Sequence, residues 1–333
     1  MPISTTYQPN APAARSGQGS ALSNREDLES GFYRLEAGET PIFSLCSKGR
    51  STSTFHEWNL DKLAAPTTDG VPEGQDVSAF ADKFADAARV GNYTQKKWRP
   101  WSVSDTQEAV TSAGPVNKAE AKVKAMLELK RDFETVISSD NDMQAASGGG
   151  TPYLSRGLGS WINASAQTTN PVPADYRTPS ASILTSAPTE TSFQTMLSSI
   201  FTQTGEMGSF TLVAGTALRS SISNFQRTDN NTSETVYHVT QAAESKKVTL
   251  SVTLLDTDFG LVKVINANAQ CFAVAANANR GYLLNPKYLG FHSLIGFESK
   301  ELEDQGGGPR GYVKMTGTLK VGTPLAFGKI AHS

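Results

Sequence analysis

Residues 117–139 set the strongest constraint on the fold. Ala119, Val123, Met126, Leu129, Phe133, Val136 and Ile137 recur at the steps that line one face of an α-helix. Lys118, Glu120, Lys124, Glu128, Arg131 and Glu134 fall on the opposite face. Asn117 can cap the helix, Glu120 follows at the capping-box position, and Pro115 stands just outside. A long helix with a single apolar face must lie against a sheet or a neighbouring chain. Ser147 and the glycines Gly148 to Gly150 break the chain after it.

The second half of the sequence supplies strands for such a sheet. From Val236 onward the pattern is mainly β, and Val248, Leu250, Val252 and Leu254 alternate with polar residues. Asp256 to Gly260 reads as a turn, with Leu261 to Ile265 returning. Near the end, Val313, Met315, Leu319 and Val321 alternate with Lys314, Thr316, Thr318 and Lys320. The turn Gln305–Pro309 joins that strand to Leu294–Leu302 as a long terminal hairpin. Ahead of these strands, Thr191 to Gln194 can form a capping box for a second helix carrying Phe193, Met196, Leu197, Ile200 and Phe201, closed by Gly205. Phe210–Ala214 reads as a buried strand, Gly215–Phe225 as a short helix, and 151–188 as a proline-punctuated loop in which Trp161 and Ile162 are the strong apolar pair. The class is α+β. At 333 residues the chain can hold two linked subdomains or one large elaborated domain.

The first third reads differently. Residues 1–25 are rich in Ser, Gly, Ala, Pro and Gln and have little to bury, so they order only on a partner or not at all. Leu28, Phe32, Tyr33 and Leu35 fall near helical spacing, Thr40-Pro41 punctuates, and Ile42, Phe43 and Leu45 form a short apolar run. Ser51–Trp58 mixes β-branched and aromatic residues as a strand does, and Thr94–Val103 looks like its partner. Between them Ala64–Asn92 offers few large apolar residues and includes Gly70, Pro72 and Gly74. The result is a two-stranded ribbon with an irregular tip, which is marginal alone in water. Its tryptophans Trp58, Trp98 and Trp101 need something to pack on, either the parent domain or a neighbour.

Catalytic and metal signatures are absent from the pattern. The four histidines, His56, His238, His292 and His332, form no helical metal pair, and no G-x-S-x-G elbow occurs. Gly148–Gly150 and Gly306–Gly308 lack the lysine and hydroxyl of a phosphate loop. Asp256 and Asp258 fit a turn better than a metal site, and Glu301 and Glu303 sit on a solvent-facing strand period where nothing nearby splits their pKa values. Cys46 and Cys271 form no C-x-x-C pair and read as reduced, packed thiols. The net charge of −2 and a densest basic cluster of only Lys96, Lys97 and Arg99 argue against a nucleic-acid-binding surface. No apolar run suits a transmembrane helix and the N-terminus has no secretory h-region, so a protein made in a cytoplasm, without cofactor or membrane partner, is expected. A floppy arm, a long ribbon, a long helix and a β-rich second half together describe a chain completed by its neighbours.

At this point the order of elements resembles the tailed-bacteriophage major capsid proteins of the HK97 fold, and more narrowly the SU10-type major head protein family. The likeness is carried by Thr40–Leu45 with Lys48-Gly49, Thr54–Trp58, Leu63–Ala65, Asn92–Gln95 leading to Val103–Val110, and Glu128–Glu134. Tyr282–Leu289, Gly311–Leu319 and Ala326–Ile330 complete the set, which spans roughly residues 30–330. Asn285 departs from the pattern, where an acidic residue is expected. The resemblance implies an N-terminal arm at 1–45, an extended loop (E-loop) at 46–104 that reaches over an adjacent subunit, and a peripheral domain at 105–188 with 117–139 as its spine helix. It further implies an axial domain at 189–290 that meets its copies around five- and six-fold axes. Residues 291–333 would return to the peripheral domain as the terminal β-hairpin. The implied function is self-assembly into pentamers and hexamers of an icosahedral shell that encloses double-stranded DNA without recognising its sequence. Portal and scaffolding or decoration proteins would be partners, and assembly would take place in the host cytoplasm. Phe55, Trp58, Trp98 and Trp101 are the expected anchors of subunit contacts, because buried aromatics dominate interfaces. A nanocompartment shell of the same fold, or an enzyme of an unfamiliar α+β fold, are the alternatives.

Overall fold

The computed structural model describes residues 38–78, 80–110, 116–148, 150–224, 253–272, 277–304 and 306–331. The expectations for the arm at 1–25, the run Leu28–Leu35, the strand portion 248–252, His238 and His332 lie outside these residues.

The chain enters through helix α1 (Pro41–Leu45), where Pro41 occupies the first turn and so gives up an N–H that has no helical partner there. Thr40-Pro41 thus opens a helix. Strand β1 (Ser47–Arg50) follows, then β2 (Phe55–Leu60) and β3 (Ala88–Tyr93), which pair antiparallel from Phe55↔Tyr93 to Leu60↔Ala88. The pairing expected between Ser51–Trp58 and Thr94–Val103 does not occur. Strand β4 (Gln95–Ser102) turns away from the ribbon after Thr94, whose N–H donates to the Thr54 carbonyl at 2.8 Å. The reason is burial: Trp101 is covered on one side of β4 while Lys96, Trp98 and Pro100 are exposed on the other. A two-stranded ribbon has no core face to offer such a strand.

Helix α2 (Asp105–Ala109) leads to α3 (Lys118–Ser138), whose cap is the one expected: the Asn117 side chain accepts from the Glu120 N–H at 2.9 Å. The buried face differs from the expected stripe in its first half. Ala125, Leu129, Phe133 and Ile137 are buried at steps of four, whereas Val123 and Met126 are exposed. Lys118 and Lys122 turn towards the terminal hairpin, where both pair with Glu301. Glu134, expected on the wet face, is buried and accepts the N–H groups of Ile42 at 2.9 Å and Phe43 at 2.7 Å. It supplies from another helix the cap that Thr40 does not give α1. Burial pushes its carboxyl up to about 6 against the pull of those two amides and Lys48. Glu134→Ala leaves two buried N–H groups unpaired and is expected to cost about 2 kcal/mol, measured by chemical denaturation of the full chain.

Helix α4 (Leu158–Trp161) buries Trp161 and Ile162 completely. After β5 (Ile183–Leu184) comes α5 (Glu190–Thr204), whose capping box is Thr189 with Ser192, two residues ahead of the position read from the sequence. Ser192 closes the box because its short hydroxyl accepts directly from the Thr189 N–H at 2.8 Å. Gly205 ends the helix at φ +66°, a conformation that costs glycine little. Strand β6 (Gly208–Ala214) and helix α6 (Thr216–Asn224) follow as expected, then β7 (Leu254–Thr257), β8 (Gly260–Asn266) and β9 (Arg280–Leu284). The long terminal hairpin is β10 (Leu289–Leu302) with β11 (Arg310–Val321), and β12 (Gly328–Ala331) closes the chain.

The strands form a four-stranded sheet in the order β1-β10-β11-β4, a six-stranded sheet β5-β12-β9-β6-β8-β7, and the ribbon β2-β3. α3 lies across the first sheet and, with α1 and α4, encloses one core around Phe43, Leu129, Phe133, Trp161, Phe291 and Val313. A second core gathers Phe193, Met196, Ile200, Leu212, Val262 and Leu283 from α5 and the six-stranded sheet. The ribbon base and Ser155, whose hydroxyl lies 3.3 Å from that of Thr318, pack on the other face of β11, so Thr316 and Thr318 are buried as well as Val313 and Leu319.

Candidate assembly surfaces

The ribbon is held at its base by a polar knot. Asn92 on β3 is fully buried; its amide N–H groups donate to Ser155 Oγ, the Arg156 carbonyl and the Leu319 carbonyl at 3.1, 3.2 and 2.9 Å. Its carbonyl accepts the Arg156 N–H at 2.8 Å. The Arg156 guanidinium, also fully buried, donates from Nε to Asp142 at 2.7 Å and from Nη2 to the carbonyls of Thr169 and Asn170. Burial works against the Asp142 carboxylate, but the Thr169 and Met143 amides and Arg156 outweigh it, and its pKa lies below the usual range. Sequence reasoning missed this knot: its members come from the ribbon, from two loops and from β11, and none has a local pattern.

The tip of the ribbon is the reverse of the base. Residues 61–78 and 80–87 carry no strand, and their large apolar side chains stand in solvent: Leu63 is 92% exposed, Val71 78%, Val77 70%, Phe80 89% and Phe84 73%. The charge on the tip is acidic, with Asp61, Asp69, Glu73, Asp76, Asp82 and Asp86 against Lys62 and Lys83. The tip is tied down where it rejoins β3, through the Tyr176 hydroxyl donating to the Asp86 carbonyl at 2.8 Å.

The four aromatic residues singled out in the sequence do not share one surface. Trp101 is buried within its own subunit, with the Lys122 ammonium 5.1 Å from its ring. Trp58 is half-buried and packs at 5.5 Å against Trp161 with the rings tilted by 39°, and Phe55 meets Tyr93 at 4.6 Å, which itself stacks on Tyr153. Trp98 is 60% exposed, held edge-on to Tyr312 at 6.0 Å on the outer face of β4 and β11. Lys96 and Pro100 flank it on β4, and Lys314 lies opposite it in register. β4 is also an edge strand, with its hydrogen-bonding groups on one side unpaired by any strand among the described residues. On the inner face Arg99 makes a two-point ion pair with Asp132 at 2.7 and 2.6 Å.

Other features are structural. Cys46 and Cys271 are buried, unpaired thiols, and burial pushes the Cys46 thiol up to about 12. Glu301 is held down to about 2 by Lys118 and Lys122, contrary to the expectation that nothing near it shifts its pKa. No cluster of three or more His, Cys, Asp or Glu is placed to hold a metal among the described residues. A depression of about 700 Å³ lined by Glu206, Met207, Ser209, Asn285 and Lys287 is wide open, and the Lys287–Glu206 ion pair spans it at 2.8 Å. Asn285 accepts the Lys287 N–H at 3.1 Å, a bond an acidic side chain there would also make.

A family model described as SU10 major capsid protein matches residues 5–332. Solved structures align over nearly the whole chain at low identity. The capsid of cyanophage P-SCSP1u has 11% identity, covers 99% of both chains and gives a TM-score of 0.62. Mycobacterium phage Cain gives 10% identity, coverage of 95% of this chain and 97% of that one, and a TM-score of 0.60. The capsid of a native GTA particle gives 11% identity, coverage of 98% and 100%, and a TM-score of 0.59. No curated protein matched the chain.

Proposed function

The chain belongs to the SU10 major capsid protein family, and from that premise we propose how it builds a shell. It is a structural subunit of a tailed-phage head that associates with its own copies, which sets aside the enzyme and nanocompartment readings. The proposed assembly runs through pentamers and hexamers of an icosahedral shell around double-stranded DNA. The arm is placed at 1–45, the extended loop at 46–104, the peripheral domain at 105–188 with 291–333, and the axial domain at 189–290. Portal and scaffolding or decoration proteins are the further partners proposed, with assembly in the host cytoplasm.

One observation carries the proposed contact: the ribbon tip exposes five large apolar side chains that a solitary soluble chain has no reason to display. The tip is acidic, and the outer face of β4, β11 and β10 offers the exposed Lys96 and Lys300 around Trp98, while Lys314 on the same face is already paired with Glu298 at 3.0 Å. Opposite charge and matching apolar surface support docking of the tip of one subunit on the Trp98 face of another. Of the four aromatic anchors, Trp98 then faces the neighbour. Phe55, Trp58 and Trp101 hold the ribbon and sheet in shape. Trp98→Ala is expected to leave the denaturation midpoint of the subunit within error and to lower shell yield by on the order of tenfold. Trp101→Ala, by contrast, is expected to cost the subunit about 3–5 kcal/mol. Full assembly by the Trp98 variant means the surface is not used.

A further inference from the structure

We propose that His56 and His292 form an acid-released latch between the ribbon and the four-stranded sheet. His56 sits on β2, and His292 sits on β10 far away in sequence, yet their rings stack with centroids 4.5 Å apart and planes 30° from parallel. His56 Nε2 and His292 Nδ1 are both buried without a hydrogen-bond partner. Two stacked imidazoles with unpaired nitrogens are stable as neutral rings, while two imidazoliums at that distance repel.

The surroundings give a second charge no counterion. On β2, Trp58 lies 5.8 Å from His56 and packs against Trp161 of α4; both indole Nε1 groups lack partners. From β11, the Lys320 ammonium lies 6.0 Å from the Trp58 ring and acts on both histidines. From β1, Gly49 lies against His292 so closely that any Cβ there would meet the ring at 2.6 Å, and the Arg50 main chain hydrogen-bonds it. From β3, Asn92 stands opposite His56, but its amide is committed to the knot at the ribbon base. Glu57, the adjacent carboxylate on β2, pairs instead with Arg89 at 3.1 Å. Burial, the neighbouring His292 and Lys320 lower the His56 pKa; burial and Lys320 lower that of His292 against the Arg50 bond.

The neutral rings stabilise the docked ribbon fully above the unfolded histidine value of about 6.5. That contribution is lost as the pH falls below about 6.5 and through the depressed folded values. Glu134 acts in the opposite sense, because its raised carboxyl is stabilised by acid, so a global melting curve blurs the two and a local readout is needed. Acid lifts β2 off the sheet while β3 stays tied through Asn92, whose partners are Ser155 Oγ and the main chain of Arg156 and Leu319, none of which titrates. The consequence for the shell, a redirected ribbon tip, rests on the proposed docking; the latch itself does not.

Hydrogen exchange on the full-length chain tests it, with peptides covering 55–60 and 88–93 followed at about pH 7.5 and about pH 5 and exchange times scaled for the intrinsic rate. The wild-type 55–60 peptide is expected to lose protection by on the order of tenfold in acid, with the 208–214 peptide of β6 unchanged. The double variant H56Q/H292Q is expected to show equal protection at both values. Unchanged wild-type protection overturns the latch, as does an equal loss in the double variant. Should that variant not fold, H56Q alone replaces it and must show a weaker acid response than wild type. Shell formation plays no part in this readout, so failure of the docking proposal is seen separately.

Discussion

Asp142→Ala destabilises the subunit by roughly 3–5 kcal/mol, among the largest effects expected of a single side chain. The Arg156 guanidinium is fully buried, and Asp142 is its only ionic partner among the described residues. Asp142 also accepts the main-chain N–H groups of Met143, Thr168 and Thr169 at 2.8, 3.1 and 3.0 Å. Truncation therefore leaves a buried cation and three amides without their acceptor. Asp142 is 26% exposed at its side chain, so water reaches the site in part and the lower end of the range is favoured. Removing both charges as Asp142→Asn with Arg156→Met is expected to cost less than Asp142→Ala, since no unpaired cation is left behind. Chemical denaturation of the full chain measures both. Equal stability of Asp142→Ala and wild type contradicts the role given to the knot.

Replacing residues 62–85 by a short Gly/Ser turn abolishes closed shells while the subunit remains folded. The replacement keeps β2, β3 and the Tyr176 bond to the Asp86 carbonyl, so the ribbon base and its Asn92 knot are untouched. It removes Leu63, Val71, Val77, Phe80 and Phe84, none of which belongs to either core. Each contact in a shell is modest, but each is repeated in every subunit, so losing one class of contact reduces assembly by on the order of a hundredfold or more. Sedimentation reads the assembly, and circular dichroism melting reads the fold. Normal shells from this variant remove the tip from the account.

The sequence made some parts of this structure legible because their information is local. α3, α5 and the hairpin β10–β11 announce themselves through caps, spacing and alternation within a few residues. The face of α3 was half misread, because periodicity places Val123 and Met126 with Leu129 but does not say which side meets β4 and the hairpin. Lys118 and Lys122 settle that by reaching Glu301. The partner of β4 could not be read at all: its alternation demands a covered face, which α3 supplies, but the strand it pairs with, β11, lies more than two hundred residues on. The same distance hid the assembly features. Trp98 and Trp101 look alike in sequence and differ because the pleat buries one and exposes the other. His56 and His292, read as isolated residues, meet because β1 pairs parallel with β10 and seats His292 beside Gly49, under the ribbon.

This chain associates with its own copies to form a capsid shell. Negative-stain electron microscopy of the purified full-length protein, with its sedimentation profile, tests that claim most directly. Closed shells, or rings of five and six subunits, are the predicted result. A uniform monomer at every protein and salt concentration contradicts it.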